Sequence, residues 1–169
     1  MSPRSSGRSA AFDRAAYERG AEAFLAESEE EQYQHLAGLR DELALEPIYA
    51  RHAELFSRGA VDALRALVEA GGPEANRNRA LLALATDGYI ERDVGALTDA
   101  IGTAEATAVV VWRGERLPFR AVRNRISEIS GRTERNALFA SYRDSDEAIN
   151  ALRAQRLGRI HYLARELVY

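Results

Sequence analysis

The sequence predicts an all-α protein, a multi-helix array or bundle of seven to eight helices. Two observations carry this. Apolar residues recur three and four apart along most of the 169 residues, while strand-like alternation is nearly absent. Apolar side chains make up 46% of the chain and charged ones 29%, a globular balance that buries a core without a metal or a disulfide.

The first helix is expected from Phe12 to about Ser28, with Phe12, Ala16, Tyr17, Ala21 and Phe24 inward and Gly20 admitting a close neighbour. Glu29-Glu30-Glu31 suits the dipole at the start of a second helix, which would bury Leu36, Leu39 and Leu43. Pro47 either begins a new helix or kinks a long one; beyond it Ile48, His52 and Leu55 share a face flanked by Tyr49 and Phe56. Gly59 then separates a short helix holding Val61, Leu64 and Val68, ended by Gly71-Gly72-Pro73, the clearest breaker in the chain. Residues 74 to 88 form a further helix.

The series Ile90, Val94, Leu97, Ile101, Ala104, Ala108, Val111 alternates spacings of four and three, a heptad seam. Val109-Val110-Val111-Trp112 is β-branched and could open a hairpin through Arg113-Gly114. We read it as helix, because the seam stays in phase and no second strand is recognisable. Pro118 opens a helix with Phe119, Val122, Ile126 and Ile129 on one face, closed by Gly131; Thr133 caps the next, which packs Leu138, Phe139 and Tyr142. Asp144 with Glu147 forms a capping box for the last helix, whose side chains Ile149, Leu152, Leu157 and Ile160 turn inward. Its stripe Leu157, Ile160, Ala164, Leu167 meets Val168-Tyr169 with no Gly, Asn or Pro to stop it. This predicts one helical domain over 12–169, the N-terminal part of a larger protein, behind a disordered tail of residues 1–11.

Composition narrows the function classes. All 23 basic side chains are Arg, yet 26 acidic residues outnumber them and the net charge is −3, which argues against a nucleic-acid surface. Arg123 with Arg125, and Arg132 with Arg135, are expected as solvated faces or ion pairs. No apolar run approaches a bilayer span, no Cys is present to ligate a metal or act as a nucleophile, and the start lacks the apolar stretch of a secretory signal; a cytoplasmic location is expected. The three histidines, His35, His52 and His161, are not in the H-E-x-x-H pattern. Phosphate loops, nucleophile elbows and di-iron Glu-x-x-His repeats are also missing. The sequence therefore nominates no catalytic, cofactor-binding or metal-ligating residue.

Three segments in order, Glu46-Pro-Ile-Tyr-Ala-Arg-His-Ala-Glu-Leu-Phe56, Val111-Trp-Arg-Gly-Glu-Arg-Leu-Pro-Phe-Arg120 and Ile126-Ser-Glu-Ile-Ser-Gly-Arg-Thr-Glu-Arg135, resemble the N-terminal helical half of zinc oligopeptidases of the oligoendopeptidase F and thimet oligopeptidase group. The resemblance covers residues 12 to 169. It implies a two-lobed helical enzyme whose zinc-binding H-E-x-x-H helix belongs to the other half, so zinc is implied only for a full-length parent. This chain would be the non-catalytic lobe and would wall one side of a peptide-binding cleft. Two alternatives stand beside it. One is a stand-alone interaction module, a homodimer through the Leu157 to Val168 stripe. The other is a small-molecule carrier with an apolar pocket among Trp112, Phe119, Phe139 and Tyr142.

Overall fold

Residues 12 to 168 are described by a computed structural model; the expected tail at 1–11 and the side chains of Val168 and Tyr169 lie outside the described residues. Six α-helices and one hairpin account for this span: α1 (Arg14–Leu36), α2 (Glu46–Arg51), α3 (Arg58–Ala70), α4 (Ala75–Thr107), β1 (Val109–Trp112), β2 (Glu115–Pro118), a 3-10 turn (Phe119–Ala121), α5 (Val122–Glu128) and α6 (Arg132–Val168). The chain is mostly helical, as expected, but in six helices rather than seven or eight. Three of them are longer than the sequence suggests.

α1 starts at Asp13, whose Oδ1 accepts the Ala16 N–H at 3.0 Å. It runs straight through Glu29-Glu30-Glu31 instead of breaking there. Its buried residues Tyr17, Ala21, Phe24, Ser28, Glu31 and His35 are spaced four and three apart throughout, so the stripe is continuous although three of its members are polar. Glu31 can be buried because it accepts the Ala44 N–H at 3.0 Å and faces Arg40 at 3.1 Å. The expected second helix is absent among the described residues. Leu36 and Leu39 are exposed, and the chain turns at Gly38 with φ 72° before Leu43.

α4 is the centre of the fold, 33 residues long where the sequence suggests a break near 88. Gly88, Gly95 and Gly102 fall seven apart along it and form a channel for the segment 43–56. A side chain at Gly88 would meet the Phe56 ring, at Gly95 the Glu46 backbone, and at Gly102 the Leu43 side chain. Phe56, fully buried, packs edge-on against Phe24 with ring centres 4.6 Å apart, and with Ile48 and Leu45 they form one core. The entry to α2 is fixed by Asp99 of α4, whose two oxygens accept the Leu45 and Glu46 N–H groups at 2.8 Å each. Pro47 sits in the first turn of α2, where its missing N–H costs nothing.

Burial, the largest influence, raises the Asp99 pKa, against the lowering effect of its backbone bonds to Glu46 and Leu45. A raised folded-state pKa means that this group's contribution is fully present below the ordinary carboxylate value and is lost as pH rises through the raised one. Asp99→Asn should therefore flatten part of the fall in stability that sets in as pH rises above the ordinary carboxylate value. Asp99→Ala should cost about 1 to 3 kcal/mol by stranding two amides. Urea unfolding at several pH values checks both.

α3 begins one residue before Gly59, so that glycine lies inside the first turn and not between elements. Ser57 Oγ caps it from 3.1 Å to the Ala60 N–H. Val61 and Leu64 are fully buried with Tyr17, Ala21, Ala85 and Leu167 in a second core. The helix ends at Gly71-Gly72, both at positive φ, as expected from the sequence.

The heptad seam of α4 stops at Thr107, and Val109–Trp112 is a strand. It pairs antiparallel with Glu115–Pro118, Val110 opposite Leu117 and Trp112 opposite Glu115. Arg113 and Gly114, at φ 53° and 81°, make the two-residue turn whose twist suits a hairpin. The reading of this stretch as helix is thus wrong. Burying Val110, Trp112 and Leu117 on one face against Phe119, Val122, Leu138 and Tyr142 rewards alternation that the helical phase of the seam conceals.

α6 is one helix of 37 residues. Asp144 lies exposed within it and caps nothing, because the inward stripe continues without a break: Leu138, Tyr142 and Ile149, then Arg153 and Arg156, then Ile160, Leu163 and Leu167. Leu163 and Leu167 are buried, whereas Leu157 is 67% exposed and does not turn inward. The last turn lies on α3, where Arg58 donates to the Glu166 carbonyl at 3.1 Å and Arg65 to the Leu167 carbonyl at 2.8 Å. Among the described side chains of the final stripe, only Leu157 is left open to solvent.

Candidate functional site

The helix α1 ends beside α4 and α6, and the three enclose a groove of about 340 Å³. Its floor is Ile101 and Gly102 of α4 with Leu43 of the connecting segment; Leu36 forms one rim and Leu157 the other. The glycine is what admits Leu43, since a Cβ at 102 would come within 2.7 Å of its Cδ2. Leu36 and Leu157 are 75% and 67% exposed, and nothing in the described chain covers them.

Arginines line the rest of the groove. Arg156 holds Glu91 with two bonds of 2.6 and 2.8 Å and donates to Thr98 at 2.8 Å. Arg153 bridges Glu105 at 2.6 Å and Asp146 at 2.8 Å; Glu105 first, then Asp146, keep its guanidinium more firmly protonated than usual. Both occupy stripe positions of α6 that would otherwise be apolar, so the α4–α6 seam is ionic at this level and opens outward as a polar wall. Arg120, from the 3-10 turn, donates to the Gly102 carbonyl at 3.3 Å and to His35 Nε2. A guanidinium has no acceptor, so in this bond Nε2 accepts. The Nδ1 is buried and finds no partner among the described residues.

The other two histidines are elsewhere in the fold's chemistry. His52 packs edge-on against Phe24 and lies 3.0 Å from Glu27 Oε1; Arg51 first, then His52, lower the pKa of that exposed carboxylate. His161 is exposed on α6. Among the described residues no group of three His, Asp or Glu could hold a metal ion, and no helix is long and apolar enough to cross a membrane. The aromatic quartet expected to enclose a ligand is divided: Trp112, Phe119 and Tyr142 are core, with Phe119 stacked on Tyr142 at 4.7 Å, while Phe139 is 54% exposed.

No protein-family model matches this chain, and no curated protein or solved structure matches it. Nothing outside its own sequence ties it to the zinc oligopeptidases. The groove sets guanidinium donors around an apolar floor, the arrangement of a binding pocket. Of its residues the sequence nominates only Leu157, as part of a self-association stripe. The signal was present in Arg153 and Arg156, two charges set three apart within the apolar stripe of α6, and in Gly102, seven residues after Gly95.

Proposed function

We propose that this domain is a non-catalytic binding module that holds an apolar, peptide-like segment in the groove between α1, α4 and α6. The observation that carries the reading is the pair of exposed leucines, Leu36 and Leu157, at the rims of one cavity with an apolar floor. Covering two leucines is worth about 3 to 6 kcal/mol before the costs of association, so these two contacts alone support binding in about the millimolar range, to which the apolar floor adds. Selection from a random 12-residue peptide library on the intact chain tests it. Enriched peptides should contain closely spaced large apolar residues, and Leu36→Asp and Leu157→Asp, both surface changes that spare the fold, should each weaken their binding at least tenfold. Binding that survives both substitutions refutes the reading.

The narrower form, a lobe walling the cleft of a zinc-oligopeptidase-like protein, has the segment order of the sequence as its support. Self-association through α6 is the second reading. Phe139, Leu157 and Tyr162 are all more than half exposed on that helix, and sedimentation at rising concentration, with Leu157→Asp as the comparison, separates it from the first.

A further inference from the structure

At the 3-10 turn the groove adjoins a second recess of about 290 Å³, and the two share Glu105, Arg120 and Arg153. Resting on the reading of the groove as a peptide site, we infer that this recess receives a carboxylate, so that the bound segment carries an acidic residue close to its apolar ones. The recess is lined by Arg120, Arg123 and Arg153 against a single acid, Glu105, above the stacked rings of Phe119 and Tyr142. Arg153 is already committed to Glu105 and Asp146. Arg120 and Arg123 are not: among the described residues no carboxylate pairs with either. Even with Asp146 counted, the recess is cationic, in a chain whose net charge is −3.

The two guanidiniums without a carboxylate partner differ in a useful way. Arg120 is held in place by Nη2, which donates to the Gly102 carbonyl and to His35 Nε2, and by Nη1, which donates to the His35 carbonyl, so its charge and its remaining N–H groups are oriented before any ligand arrives and little freedom is lost on pairing. Arg123 is exposed on α5 and can close over the ligand. With Glu105 and Asp146 already opposing the three guanidiniums, one further negative charge neutralises the recess and a second is in excess, which favours a monoanionic carboxylate over a phosphate dianion. The shared lining places the charge next to the apolar floor, so the acid and the leucine-contacting residues belong to one short segment.

The peptides enriched on the intact chain supply the test. Aspartate or glutamate should appear within about four residues of the apolar pair, and a synthetic binder carrying Glu should bind about tenfold tighter than its Gln counterpart at low salt. That advantage should shrink as salt is added and disappear in Arg123→Gln, while the Gln peptide binds both proteins alike. Equal affinities for the Glu and Gln peptides overturn the inference and leave the groove reading standing. So does an acid preference that survives Arg123→Gln, or a phosphoserine version that binds tighter than the Glu peptide through Arg123. A library that yields no binder to a chain of intact helical content overturns both.

Discussion

Gly88→Ala should destabilise the protein, although it places the best helix former in the middle of its central helix. The gain in helix propensity is about 1 kcal/mol. Against it stands the Phe56 ring, which a Cβ at position 88 would run into. Phe56 is fully buried, with Phe24 edge-on at 4.6 Å and Tyr49 at 5.3 Å, so the ring has no room to swing away. Overpacking of a well-filled core costs about 1 to 3 kcal/mol and at times more, and a collision with an immobile ring belongs at the upper end. A net loss of about 2 kcal/mol is expected. Phe56→Ala, which leaves a cavity in the same place, should cost about 3 to 5 kcal/mol. In the double variant the collision is gone, and adding Gly88→Ala to Phe56→Ala should stabilise by up to about 1 kcal/mol. Denaturant unfolding of the four proteins reads this change of sign. An equal loss from Gly88→Ala in both backgrounds would show that the contact is not what keeps a glycine there.

Alkaline pH should weaken the fold through Tyr17 and Tyr49. Burial pushes each phenol up to about 12, with Glu91 adding to the effect at Tyr49. The Tyr17 hydroxyl is spent as a donor to the Leu55 carbonyl at 3.1 Å. The folded pKa is raised above the unfolded value near 10, so the contribution is complete below about pH 10 and is lost as pH climbs towards 12. Discounted for partial solvent screening, the two groups together should remove about 2 kcal/mol between pH 8 and 11. The chain makes this unusually clean to measure. With 23 Arg and no Lys, its basic side chains keep their charge across the whole window. Tyr17→Phe should remove about half of the slope. A melting temperature unchanged from pH 8 to 11 would contradict the burial of both phenols.

How far the sequence reveals this fold depends on which interactions set each boundary. The end of α3 is legible because Gly71-Gly72-Pro73 acts locally, through φ and a missing donor. The boundaries of α1 and α6 are not, since polar residues inside their stripes, Glu31 in one and Arg153 and Arg156 in the other, look like surface until their partners are known. Those partners are distant in sequence: Ala44 for Glu31, and Glu105 and Glu91 for the arginines. The hairpin was hidden for a different reason. Ala108 and Val111 fit the helical phase of α4, and Glu115-Arg116-Leu117-Pro118 carries too little β-branched character to announce a strand, so only tertiary burial of Val110, Trp112 and Leu117 decides the matter. The groove arises from these same misread places. It forms where α1 runs on to Leu36, where α6 passes Leu157 outward, and where Gly102 lets Leu43 lie on α4.

The claim on which the functional reading depends is that ligand enters between α1, α4 and α6, and backbone amide chemical shifts of the labelled chain during titration with a selected peptide test it most directly. The account predicts saturable shifts concentrated at Leu36, Leu43, Ile101 to Glu105, Arg120 and Leu157. Shifts confined to the outer face of α6 around Phe139 and Tyr162, with the groove amides unmoved, would contradict it.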